Sequence, residues 1–344
     1  MRKTFVCFSA LLYLCSMELF AAPSRECTDI AETFSGIRAE FPLSGSSWLY
    51  QLQDADPAGI AESTYAIAVI DYSRTGGEEG RYTNREMGMM KGVETGRRYI
   101  LAYLSIGEAE DYRYYFDSDW TLGPGRQPGK NAPCWLGKTN PEWPGNYKVQ
   151  YWSEEWQKII LAYVDRIIED GFDGVYLDII DAYEYWSDDD NPEGFILDEE
   201  TAAARMMSFV NRIARHAREA RGMPGFFVIP QNGEGILIYD TPGPGETGFL
   251  DTINGIGIED LYFDGTDPVE DEAAAERAEL IDRVEEAGKP VLLVDYILDG
   301  GPEEHGRREE FLARARRNGY VPFPAHEDRE LDRIPPYPFG AEAR

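Results

Sequence analysis

The stretch SEEWQKIILAYVDRIIEDGFDGVYLD, residues 153–178, reads as one complete helix–turn–strand unit. A helix is expected over 153–170, with Ser153 as its N-cap and Gly171 as its stop, since glycine accepts the left-handed turn that ends a helix. The strand expected over 174–179 carries apolar side chains to both faces. That is the pattern of a parallel strand covered by helices on either side. It ends in an acid, Asp178.

The alternation repeats in both directions along the chain. Short apolar runs at 48–53, 66–71, 99–106, 226–231, 255–259, 290–296 and 319–322 read as further strands. Helices are expected over 85–95, 200–220, 268–287 and 303–318, with Gly288 and Gly319 marking the return to a strand. Eight strands with interleaved helices, and neither a linker nor an internal repeat, favour one (β/α)₈ barrel of the TIM type over residues 23–344. An open doubly wound sheet is the alternative. The Pro/Gly-rich stretch 122–146 is expected to form a long loop after the third strand. The aromatics in and beside it, Trp135, Trp143, Tyr147, Tyr151 and Trp152, point to binding.

Composition bounds the partners. The 344 residues hold 33 Lys plus Arg against 63 Asp plus Glu, a formal charge of −30, which argues against nucleic acid. The plain explanation is a solvated acidic surface; the sharper one is a cleft that attracts a cationic substrate. Residues 1–22 run from Arg2 and Lys3 through an apolar segment to Ala21 and Ala22, the layout of a signal peptide. A secreted or periplasmic monomer is expected, without stable membrane insertion, because the apolar run is shorter than a spanning helix needs. Lipidation at Cys15 fits poorly, as Leu12-Tyr13-Leu14 lacks small residues. Cys27 and Cys134 remain after the signal, and their pairing is open on sequence alone.

Barrel enzymes place their chemistry at the carboxyl ends of the strands. Here those ends deliver Asp71, Glu108, Asp178 with Asp181 beyond it, Glu259-Asp260, and Asp295. A carboxylate at the end of a buried strand is costly unless it is paired, hydrated or used. Glycosidic bond cleavage needs two carboxyl groups and no cofactor or metal. Tyr72, Tyr103, Tyr112, Tyr176, Tyr183, Tyr262, Phe263 and Tyr296 lie nearby in sequence and offer faces for sugar stacking or for packing. Gln231 and Asn232 add neutral hydrogen-bonding groups at the end of the fifth strand.

Other chemistries fit less well. His216, His305 and His326 are scattered, which suits neither a zinc site nor a serine triad. Residues 125–130 mimic a phosphate loop, with the wrong glycine spacing and Asn131 in place of Ser or Thr. A magnesium-dependent barrel lyase or isomerase could use Asp71, Glu108, Asp178 and Asp295 as oxygen ligands. Its usual basic residue is missing, since Lys91, Lys158 and Lys289 fall on helices or at the amino ends of strands. A non-catalytic carbohydrate-binding barrel is the third possibility.

Five segments together resemble one family: YLSIGE (103–108), PEWPGNY (141–147), GFDGVYLD (171–178), PQN (230–232) and GIEDLYF (257–263). The chain is similar, over nearly all of its mature length, to the endo-α-1,4-polygalactosaminidases of glycoside hydrolase family 114, particularly the bacterial and archaeal ones. The resemblance implies a TIM-barrel hydrolase of α-1,4-linked galactosamine polymers, with Asp178 as nucleophile and Glu259 as acid/base. It also implies sugar binding by Asp71, Tyr103, Glu108, Gln231, Asn232 and Asp295. The fungal members follow the Glu with Gln-Cys, where this chain has Asp260-Leu261. Glu234 is the rival acid, although a strand end fixes a side chain better than its glycine-flanked loop does. Retention of configuration is expected, and a polycationic substrate would give the acidic balance a use.

Overall fold

The computed structural model describes residues 47–92, 98–244 and 247–335. Eight parallel strands alternate with helices among these residues. They are β1 (Trp48–Gln51), β2 (Ile67–Asp71), β3 (Tyr99–Ser105), β4 (Gly174–Asp178), β5 (Phe227–Pro230), β6 (Ile256–Glu259), β7 (Val291–Leu298) and β8 (Val321–His326). Backbone ladders join β1 through β5 in chain order, and β6 to β7 to β8 likewise. A parallel bridge between Gln231 and Gly257 links β5 to β6. At the β8–β1 seam the Trp48 indole N–H donates to the Val321 carbonyl at 2.9 Å. This is the strand order of a (β/α)₈ barrel.

The strands are nearly all buried on both faces, which accounts for their unbroken apolar runs. Aromatic rings fill the interior: Trp48, Tyr50 and Tyr176 pack around one another, and Phe323 packs on Trp48. Gly257 makes room for this, because a Cβ there would lie 1.8 Å from the Tyr176 hydroxyl. The outer layer consists of α1 (Pro57–Glu62), α2 (Asn84–Lys91), α3 (Glu154–Glu169), α4 (Ala182–Ser187), α5 (Glu199–Arg215), α6 (Phe249–Thr252), α7 (Asp271–Glu286) and α8 (Glu304–Arg317). In α3 the buried positions Trp156, Ile160, Tyr163, Val164 and Ile167 recur every three or four residues and face the sheet. Ser153 precedes α3, but its side chain makes no capping bond. Gly171 does take the left-handed turn, with φ +86°.

The segment after β3 differs from the expected loop. Glu108–Glu110, Leu136–Thr139 and Asn146–Val149 form a small antiparallel sheet over the barrel's carboxyl end. Four of its aromatics belong to the core: Trp135, Tyr147, Tyr151 and Trp152 are each at most 1% exposed. Trp135 packs on Trp120 and Trp156, and Trp152 on Trp186, so these rings bury their area against each other. Trp143 alone of the five stands open, at 61% exposure.

The expected signal segment and Cys27 lie outside the described residues; Cys134 is disulfide-bonded. Among the described residues no helix is long and apolar enough to cross a membrane.

Candidate active site

Asp178 ends β4, opposite Ser105 of β3. The chain turns immediately after it, with Ile179 in the left-handed region at φ +59°. That conformation costs a β-branched residue roughly 1–3 kcal/mol, so the surroundings must enforce it. Gly107 does so by close approach. A Cβ at position 107 would lie 2.2 Å from the Ile179 carbonyl oxygen, and the Ile106 N–H donates to the Asp178 carbonyl at 3.1 Å. The turn directs the Ile179 N–H onto Asp178 Oδ1 at 2.8 Å, and the Tyr103 hydroxyl donates to Oδ2 at 2.5 Å. Burial, and then the charge of Glu259, push the Asp178 carboxyl up to about 8 despite these two donors.

Glu259 ends β6 and is gripped from three sides. The Asn232 side chain donates to Oε2 at 3.1 Å and accepts the Glu259 backbone N–H at 2.9 Å, while the Tyr296 hydroxyl donates to Oε1. Gln231 bonds it as well, and its amide is oriented by the Tyr50 hydroxyl, which donates to Gln231 Oε1 at 2.9 Å. Burial raises the Glu259 carboxyl, chiefly against the Tyr296 hydrogen bond. Both carboxyls are thus held above the usual carboxylate range, chiefly by burial, and the charge of Glu259 adds to the rise at Asp178. Asn232 and Asp260, like Ile179, lie in the left-handed region just past their strand ends, at φ +55° and +51°.

Beside Glu259 opens a cavity of about 540 Å³. Asp181, Glu184, Glu234, Glu259, Asp260 and Glu276 line it, with Arg277 as the one basic residue. Two of the carboxylates are internally paired, Glu234 with Arg277 at 2.5 Å and Asp260 with both ends of the Arg329 fork. Burial, and then Glu184, push Asp181 up to about 6. The wall is polar and strongly negative.

The other acids expected at strand ends are committed elsewhere. Asp71 is paired with the fully buried Arg113 at 2.8 Å, and Arg113 also holds Glu110 at 2.6 Å. Glu108 is 0% exposed, bound through Oε1 to Lys148 and Asn140, and it sits in the antiparallel sheet instead of prolonging β3. Asp295 is likewise 0% exposed, and its oxygens accept the backbone N–H groups of Leu261, Tyr262 and Phe263 at 2.9–3.0 Å. Asp295, expected to bind sugar, fixes the turn behind Glu259 in this structure. Tyr103, Gln231 and Asn232, also expected to touch sugar, are bonded in this structure to the two carboxyls. Asp71, Glu108 and Asp295 each answer to a different partner, and among the described residues no three His, Cys, Asp or Glu side chains converge as metal ligands.

Sequence reasoning missed Arg277, whose guanidinium donates to the carbonyls of Glu259 and Asp260, both at 3.0 Å. It missed Arg329 too, and it read Tyr296 only as a ring for sugar stacking or packing, not as a donor to Glu259. These residues meet through space, so no local pattern marks them. Gly107 was visible only as part of a motif.

With this geometry in hand, comparison with known proteins places the chain. The model of glycoside-hydrolase family GH114 matches residues 31–338. The chain belongs to that family. An uncharacterised protein of Methanocaldococcus jannaschii is 44% identical over 289 residues, covering 83% of this chain and 77% of the relative. One of Thermotoga maritima is 41% identical over 290 residues, covering 84% and 83%. In fold, this GH114 chain resembles the glycoside hydrolase domain of PelA from Pseudomonas aeruginosa, with a TM-score of 0.58 and 18% identity over 84% of this chain and 97% of that one. It also resembles Aspergillus fumigatus Ega3, solved as a complex with galactosamine, with a TM-score of 0.58 and 17% identity over 84% and 95%. Membership of GH114 makes the chain a glycoside hydrolase.

Proposed function

We propose that this chain is a secreted hydrolase of α-1,4-linked galactosamine-type polysaccharide, using Asp178 and Glu259 as its two catalytic carboxyls. The observation that carries the proposal is the pair itself: two carboxyls at strand ends, each pushed up by burial, with Glu259 lining an acidic cavity. A polymer of amino sugars with free amines is a polycation, and a negative wall would draw it in and hold it. The solved relative with galactosamine bound is consistent with this substrate class.

In the first step the Asp178 carboxylate attacks the anomeric carbon. The glycosidic C–O bond breaks and the Glu259 proton passes to the leaving oxygen. In the second step Glu259 takes a proton from water, the water oxygen bonds to the anomeric carbon, and Asp178 is released, with net retention. Burial and the charge of Glu259 favour the protonated form of Asp178. An ammonium at C2 of the sugar, adjacent to the anomeric carbon, would favour the ionised Asp178 that the first step needs. Glu234 fits the acid's role less well, because Arg277 holds it as an ion pair.

The test is release of reducing ends from a partly de-N-acetylated α-1,4-galactosamine polymer by the wild type, Asp178→Asn and Glu259→Gln, each with and without EDTA. Wild-type activity that survives EDTA and vanishes in both folded variants is expected. EDTA-sensitive activity, or full activity in either variant, would overturn the proposal.

A further inference from the structure

We propose that Tyr296, on β7, and Arg329, on a strap that spans the barrel's seam, are positioning residues for Glu259. The inference rests on the reading that Glu259 is a working carboxyl. Tyr296 lies on β7, two residues past Val294, which pairs with Glu259 in the β6–β7 ladder. Side chains two apart on a strand share a face, so the Tyr296 hydroxyl reaches Glu259 Oε1. One hydroxyl and the Asn232 amide thus occupy different oxygens of the same carboxyl, leaving it a single orientation.

Arg329 holds this corner from outside. Its guanidinium carbon lies 4.3 Å from the centre of the Tyr296 ring, and its fork binds both oxygens of Asp260 at 2.9 and 3.0 Å. The donor to Glu259 and the residue following Glu259 are therefore fixed by one cation. Arg329 belongs to the segment after β8, which is fastened to the far side of the seam. The Leu331 carbonyl accepts the Leu52 and Gln53 N–H groups at 2.9 and 3.1 Å, and the Asp332 carbonyl accepts the Gln51 side chain at 3.1 Å. Arg329 and Leu331 both adopt left-handed backbone, at φ +57° and +49°, a conformation that non-glycine residues keep only where the surroundings impose it. The segment bonds to the end of β1 and reaches across to the β6–β7 corner.

The groups that face Glu259 from the surrounding elements are Asp178, Asp260, Tyr50, Tyr176, Arg277 and Arg329. Only the Tyr296 hydroxyl and the two amides donate to its carboxyl directly. Removing that hydroxyl should make Glu259 harder to ionise, and removing Arg329 should do the same to a smaller degree.

The experiment is a ¹³C NMR titration of carboxyl-labelled glutamates in the full-length protein, with the Glu259 signal assigned by its loss in Glu259→Gln. It needs no substrate, so it stands even if the proposed polymer is not cleaved. In Tyr296→Phe the Glu259 midpoint should rise by about one pH unit. Arg329→Gln should raise it less, and Arg329→Lys least, as it keeps the charge but loses the fork. Arg333→Gln, on the same segment but paired only with Asp328 and Asp332, should leave the midpoint at the wild-type value. With an active substrate, Tyr296→Phe should lower kcat about tenfold with KM held and move the alkaline limb of the kcat/KM profile, set by the acid Glu259, upward. A Glu259 midpoint unmoved in folded Tyr296→Phe and Arg329→Gln would overturn the proposal, as would an unaltered pH profile accompanied only by lower thermal stability.

Discussion

Asp178 and Asp295 make an instructive pair. Asp178 ends β4 and Asp295 lies within β7, one residue past the partner of Glu259, and burial pushes each carboxyl up, to about 8 and about 7. Their surroundings diverge. Asp295 gives its oxygens to three backbone N–H groups of the turn that follows Glu259. Asp178 accepts one hydroxyl and one N–H and remains part-open at the barrel mouth. A raised carboxyl is therefore a sign of burial, and function follows from where its lone pairs go. Asp295 works for Glu259 through the backbone.

This contrast can be broken at several points. The largest stability effect should come from Asp295→Ala, which leaves three buried N–H groups unpaired and should cost several kcal/mol, roughly 3–5. Urea unfolding would measure it, and a loss below about 1 kcal/mol would show that the turn does not depend on Asp295. Next is Gly107→Ala. Its Cβ would meet the Ile179 carbonyl at 2.2 Å and must displace the turn that aims Asp178. A fall in kcat of about a hundredfold is expected from misplacing a reacting group by about 1 Å, and steady-state kinetics would report it.

Asp178→Asn tests the electrostatics from the side of stability. The folded carboxyl titrates near 8, above its unfolded value of about 3.9. The folded state thus binds this proton more tightly. Its relative stability is fully present below pH ~4 and is lost as pH rises through about 8. The Asn variant lacks this penalty, so its thermal midpoint should exceed the wild type's by a margin that widens from pH 4 to pH 8, reaching several degrees. Calorimetry showing a constant or shrinking margin would contradict the assigned proton. The smallest effect concerns the cavity wall: added salt should raise KM for a polycationic substrate several-fold with little change in kcat, as screening weakens long-range attraction. A KM independent of salt would remove the electrostatic role from Asp181, Glu184 and Glu276.

The sequence carried some of these features better than others. Parallel strands announce themselves because both faces are buried, so β4 at Gly174–Asp178 falls within one residue of its expected span. Asp178 and Glu259 were legible for the same reason: an acid that ends an apolar run is conspicuous. Glu108 was expected just past the third strand, and the short antiparallel strand it begins went unread because three residues leave no periodic signal. Trp135, Tyr147, Tyr151 and Trp152 were read as a binding surface, since ring content alone cannot distinguish a sugar platform from a small aromatic core. Asp295 looked like its neighbours because one letter does not say which N–H groups a carboxylate will meet. Arg277 and Arg329 act on Glu259 across 18 and 70 residues of chain, a range at which pattern reading has nothing to hold.

The central claim is that Asp178 and Glu259 together cleave an amino-sugar polymer with retention. Proton NMR of the anomeric region, followed during hydrolysis of a de-N-acetylated α-1,4-galactosamine polymer by the wild type, Asp178→Asn and Glu259→Gln, tests it most directly. The wild type should release α-anomeric reducing ends first, with the β form growing in only as mutarotation proceeds, and neither folded variant should give signals above the uncatalysed background. Early β-anomer from the wild type, or sustained product from either variant, would contradict the account.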